Sequence, residues 1–130
     1  MIEKVIQWQK DRNLHKMPYI HKDEIKNIIE ETCETFELTR DEAEDITDNI
    51  VAMSDNYIAH DNDKVDAYFD ICVYAIGAMM KLGYDPIKVF DEGLKEINER
   101  TGAYDEQVGK WVKQPKKPNA YKADYSKAKL

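Results

Sequence analysis

Residues 63–86 read DKVDAYFDICVYAIGAMMKLGYDP. From Ile71 to Met80 the chain carries no charge, and the segment closes on a helix-stop signature. Gly83 is placed to adopt the left-handed conformation that ends a helix, Asp85 to cap the next one, and Pro86 to occupy its first turn, where a missing N–H costs nothing. The reading is a long apolar helix over about 63–82 and a second helix over about 86–100. A helix with so little charge belongs at the centre of a bundle.

The same punctuation divides the rest of the chain. Thr39 with Glu42 three residues on forms a capping box and opens a helix over about 40–54. Ahead of it, Ile25, Ile28, Ile29, Cys33 and Phe36 recur at three-and-four spacing and predict a helix over about 22–37. Ile87, Phe90, Leu94 and Ile97 do the same for 86–100, and an opening helix covers about 2–13. No period-two alternation appears. The expected fold is an all-α bundle of about five helices joined by short connections, with an irregular tail from residue 110 onward behind a domain of residues 1–109.

At 130 residues the chain suits one domain able to bury about two-thirds of its unfolded surface, so neither disulfides nor a structural metal are needed. Cys33 and Cys72 are read as reduced, buried packing residues. No apolar run is long enough to span a bilayer. MIEKVIQWQKDRN lacks the apolar core and cleavage site of a secretory leader, so a cytoplasmic location is expected.

The net charge of -7 conceals a division. From Lys110 on there are seven lysines against Asp124 alone, a segment charge of +6, which leaves -13 for residues 1–109. A body this acidic repels nucleic acid, whose binding rests on neutralising phosphates; divalent cations are the partners it attracts. Tyr104, Trp111, Tyr121 and Tyr125 give the tail apolar surface with which to pack on the bundle.

Two acidic sets stand apart. In EETCE, Glu30, Glu31 and Glu34 crowd one helical turn, where like charges repel by a few tenths of a kcal/mol per pair. In DNDKVDAYFD, Asp66 and Asp70 share a face at i, i+4, while Asp63 is better placed to cap the helix. Asp70 stands at the lip of the apolar run, where an acid is usually paired or metal-bound. If the two helices pack side by side, the acids build an oxygen-only site suited to Mg²⁺, with Mn²⁺ as an alternative. DEAEDITD at residues 41–48 reads as a solvated face.

EETCE followed by DAYFDICVYAIGAMMKLGYDP resembles the all-α nucleoside triphosphate pyrophosphohydrolases of the MazG-like superfamily, which also includes dimeric dUTPases and phosphoribosyl-ATP pyrophosphohydrolase. The family pattern is EExxE on one helix and ExxD on a later one. Glu30, Glu31 and Glu34 match the first motif; Asp70 matches the aspartate of the second, but Ala67 stands where the family has glutamate, and Asp66 is the nearest acid. The segment from Ile97 to Lys129 further looks like the end of phage-encoded members.

The resemblance implies Mg²⁺-dependent cleavage of a nucleoside triphosphate between its α and β phosphates. Metal would be held by Glu31, Glu34 and Asp70, with Asp66 replacing the missing glutamate, and Glu30 or Glu31 would be the general base. The number of metal ions stays open. Asn98, Arg100, Lys110 and Lys113 are candidates for holding the nucleotide, and Trp8 and Gln9 for lining a base pocket. Phosphoribosyl-ATP hydrolysis and a non-enzymatic helical interaction module are the alternatives. The apolar helix exposes Val73, Ile76, Met79 and Met80 around most of its circumference, which predicts a homodimer or homotetramer.

Overall fold

Each predicted helix forms, and the local chemistry shows why. The computed structural model describes residues 1–55, 58–105, 107 and 110–130, without the side chains of Tyr104 and Lys110. Its helices are α1 (Ile2–Asp11), α2 (His21–Glu34), α3 (Arg40–Met53), α4 (Asp61–Lys81) and α5 (Pro86–Asn98), with short 3₁₀ turns at Leu14–Lys16 and Tyr125–Ala128. The all-α expectation holds. Among the described residues, no helix is long and apolar enough to cross a membrane.

The α4–α5 turn is built as the LGYDP reading requires. Gly83 has φ 93°, Tyr84 N–H donates to the Met79 carbonyl and Gly83 N–H to that of Met80, both at 3.0 Å. These two bonds satisfy carbonyls that the helix end would otherwise leave unpaired. Asp85 then accepts from Ile87 N–H at 2.9 Å, with Pro86 in the first turn of α5. At α3, Thr39 and Glu42 complete a reciprocal capping box.

The chain divides into two compact units, residues 18–65 and residues 1–17 with 66–130, the boundary falling within α4. In the first unit α2 and α3 pack antiparallel. Cys33, Ala43 and Thr47 are buried there, and Thr47 Oγ1 returns a hydrogen bond to the Ala43 carbonyl. Three ion pairs step along the seam: Lys22–Asp48 at 2.6 Å, Lys26–Glu44 at 3.7 Å and Arg40–Glu30 at 3.9 Å. Each advances four residues on α2 and retreats four on α3, which is the register of two antiparallel helices.

In the second unit the C-terminal segment is the main departure from expectation. Two strands, β1 (Gly102–Asp105) and β2 (Lys110–Lys113), pair antiparallel, with Ala103 opposite Val112. At four residues each, these strands are too short to show a convincing alternation. Beyond them the tail is fastened to α5. Glu92, only 4% exposed, binds Lys95 Nζ at 2.8 Å and accepts from the Tyr121 hydroxyl and, at 3.3 Å, from Asp124 N–H. The chain then returns to the α4–α5 turn, where Asp85 N–H donates to Ala128 O at 2.8 Å and Leu130 N–H to Gly83 O at 3.0 Å.

Other differences are local. Helix α2 ends at Glu34, not near residue 37, because Glu37 turns left-handed at φ 59° and Leu38 N–H closes on the Cys33 carbonyl. Phe36 is thereby outside the helix and exposed. Asp63 lies in the first turn of α4 and does not cap it; the His60 carbonyl receives the Asp63 and Lys64 amides. Cys72 is exposed and not a core residue, and none of the residues of α4 is buried.

Candidate functional site

The glutamates of EETCE occupy the last turn of α2, and no basic residue accompanies them there. Three acids at a helix C-terminus face the negative end of the helix dipole as well as each other, an arrangement that is unfavourable without a cation. Glu31 and Glu34 are exposed, while the Glu30 side chain is mostly covered, at 19% exposure. Glu30 Oε1 is buried and lacks a hydrogen-bond partner; its nearest cation, Arg40 Nε, stands at 3.9 Å, beyond hydrogen-bond reach.

Asp66 and Asp70 are exposed, one turn apart on α4. Their spacing comes from the helix itself, which aligns residues four apart. Ala67 projects 100° away from Asp66 around the helix, as the 3.6-residue period requires. Glu30, Glu31 and Glu34 belong to the first unit and Asp66 and Asp70 to the second. Among the described residues no three His, Cys, Asp or Glu side chains close on a common point able to hold a metal ion.

The expected nucleotide-binding residues belong to the second unit, and several of them meet. The C-terminal ends of α1 and α5 and the start of β1 enclose an open cleft of about 630 Å³, bordered by Asp11, Arg12, Asn98, Arg100 and Trp111. That volume is within the range of small-molecule sites. Trp8 is beside the cleft as a packing residue: its indole N–H donates to the Ile97 carbonyl at 2.7 Å and its ring meets Trp111 edge-on at 6.0 Å. Gln9 is exposed on α1. Lys113 borders a much smaller cavity with Glu99 and Arg100, and the side chain of Lys110 lies outside the described residues.

Arg12 is the residue the sequence reading missed. Its guanidinium sits 4.4 Å above the Trp8 ring and donates to the carbonyls of Trp8, Asn98 and Arg100 at 3.1–3.3 Å. It thus caps α5 with a cation where the dipole is negative. The signal was the i, i+4 spacing of Trp8 and Arg12, which puts a cation over an aromatic face on one helix. Arg100 Nε is buried and has no hydrogen-bond partner. Trp111 was read only as a packing aromatic.

No family description, curated protein or solved structure matches the chain.

Proposed function

We propose that the protein is a Mg²⁺-dependent nucleoside triphosphate pyrophosphohydrolase that releases a nucleoside monophosphate and pyrophosphate. The observation that carries this reading is the crowding of Glu30, Glu31 and Glu34 toward the end of α2, whose last turn holds no basic residue, with Glu30 Oε1 beyond hydrogen-bond reach of Arg40. The donor set is all carboxylate oxygen, which suits a hard divalent ion. The cleft of Arg12, Asn98, Arg100 and Trp111 adds the cationic, amide and aromatic groups that an anionic nucleotide requires.

Glu31 and Glu34 at the end of α2 would hold the metal, and Asp66 and Asp70 are separate candidate ligands on α4. When bound, Mg²⁺ lowers the pKa of water and neutralises phosphate charge. Glu30 or Glu31 takes the proton of the water that attacks the α phosphorus, and the bond to the bridging oxygen breaks to release pyrophosphate. Arg100, at the border of the cleft, would position the phosphates. Two free cysteines accord with the cytoplasmic location in which such a substrate occurs.

A panel of nucleoside triphosphates and phosphoribosyl-ATP, assayed with Mg²⁺ for pyrophosphate, tests the reading. Pyrophosphate from a triphosphate supports it. Release from phosphoribosyl-ATP alone would transfer the assignment to that substrate, and no release from any would leave a non-catalytic helical module.

A further inference from the structure

Trp111, at the border of the cleft between the ends of α1 and α5, is held against two walls. Its ring meets Trp8 edge-on, with 6.0 Å between centroids. It also packs so closely on Gly102 that a Cβ added there would stand 2.5 Å from the indole. The side chain is thus fixed by its neighbours, and the residue is half-buried, so part of it stays open to the cleft. A fixed aromatic ring of this kind is a stacking platform, and every nucleobase has a face to lay on it.

Stacking does not choose among bases; the hydrogen-bonding groups around the ring do. Asp11 is exposed at the end of α1, and its Oδ1 accepts from Gln7 Nε2 at 2.6 Å, one helical turn back. That i, i+4 bond steadies the carboxylate. Among the described residues Asp11 forms no ion pair, and the guanidinium of Arg12 beside it is committed to the carbonyls of Trp8, Asn98 and Arg100. An ionised carboxylate offers two acceptors side by side and no donor. Guanine is the common base with two adjacent donors, N1–H and the N2 amino group, to match that fork. Adenine and cytosine each set one amino group beside an acceptor, and uracil has one N–H between two carbonyls. Asn13 and Asn98, at the same border, supply the amide donors that guanine O6 and N7 accept from.

We propose that this cleft is a guanine-selective base site, with Trp111 as its stacking surface and Asp11 as the residue that reads N1–H and the N2 amino group. The proposal rests on the nucleotide reading above and narrows the preferred substrate to a guanosine or deoxyguanosine triphosphate.

Calorimetric titration of the full chain with nucleoside monophosphates, in the absence of divalent metal, tests the base site apart from catalysis. Guanosine monophosphate should bind about tenfold or more tighter than inosine monophosphate, which differs from it in lacking the N2 amino group; that is the discrimination one bidentate pair supplies. Asp11→Asn, at an exposed position, should abolish the preference with an unchanged helical circular dichroism signal. Trp111→Leu should weaken both ligands alike and keep their ratio. Equal affinity of the wild type for the two ligands, binding of neither, or an undiminished preference in Asp11→Asn overturns the proposal, and the wild-type comparison decides even where a variant does not fold. If selectivity is absent while triphosphates still release pyrophosphate, the base assignment falls and the hydrolase reading stands. Selective binding with no pyrophosphate from any triphosphate supports the guanine site and overturns the hydrolase reading.

Discussion

Arg40 Nε lies 3.9 Å from Glu30 Oε1, and this pair reverses the polarity of the two before it on the α2–α3 seam. At Lys22–Asp48 and Lys26–Glu44 the cation comes from α2; at Glu30 it comes from α3. The reversal puts the one seam cation of α3 beside the crowded glutamates, where it would compete with the proposed metal ion for the same negative charge. Arg40→Gln should therefore tighten Mg²⁺ or Mn²⁺ binding by about two- to fivefold, the range expected for an ion pair with one exposed partner. Calorimetric titration measures this. Weaker binding in the variant would show that Arg40 supports the site.

Metal binding should also appear as stability. An ion that binds only the folded chain adds about 2.7 kcal/mol at a concentration 100 times its dissociation constant. Thermal melts with millimolar Mg²⁺ or Mn²⁺ should shift upward in the wild type and not in a Glu31→Gln, Glu34→Gln double variant. An unchanged wild-type midpoint would count against these ligands.

The helices were legible because their signals are local. Thr39 and Glu42, Gly83, and Asp85 with Pro86 each act within a few residues, and each does so in the structure. The end of α2 was not legible, because nothing in the sequence forces Glu37, a non-glycine residue, into a left-handed conformation. Cys72 was assigned to the core because apolar neighbours and true burial look the same in sequence. The Glu92 fastening depends on contacts across 29 to 32 residues, which no periodicity records. Of the candidate site, the EETCE and DAYFD acids were readable as motifs. Arg12 was passed over because its partners are carbonyls of α5, more than 80 residues away.

If Asp66 serves the proposed reaction alongside Asp70, Asp66→Asn should reduce pyrophosphate release nearly as much as Asp70→Asn. The two carboxylates share a face one turn apart, so each can reach the same ion. Steady-state rates for the two variants decide the matter. Full activity in Asp66→Asn would mean that Asp66 takes no part in the reaction.

Arg12 joins α1 to the end of α5 through carbonyls, and no other side chain type matches its planar fork. Arg12→Met keeps the apolar stem over Trp8 but removes the donors and the charge. The loss should be about 1.5–3 kcal/mol of unfolding free energy, since hydrogen bonds to a charged group are the stronger kind. Urea denaturation followed by tryptophan emission reads both the stability and the Trp8 environment. A change below about 0.5 kcal/mol would show that water replaces the guanidinium at these carbonyls.

Glu92 makes the tail sensitive to acid. The Lys95 ammonium bonded to it, followed by the Tyr121 hydroxyl, holds its carboxyl at about 2, against an ordinary value of 4.5. A carboxyl depressed by folding contributes stability that is fully present above its unfolded value and is lost as pH falls through its folded one. Here the window runs from about 4.5 down to about 2, and stability rises with pH across it. Other acids titrate in the same range, so the informative quantity is the difference between wild type and Glu92→Gln. Hydrogen exchange at the Leu130 and Asp85 amides, whose bonds tie the terminus to the α4–α5 turn, reports attachment of the tail directly. In the wild type these amides should lose protection as the pH is lowered through that window, after correction for intrinsic exchange. In Glu92→Gln they should be less protected at neutral pH and should show a flatter pH dependence. Identical profiles in the two proteins would mean that Ala128 packing and the backbone bonds hold the tail without Glu92.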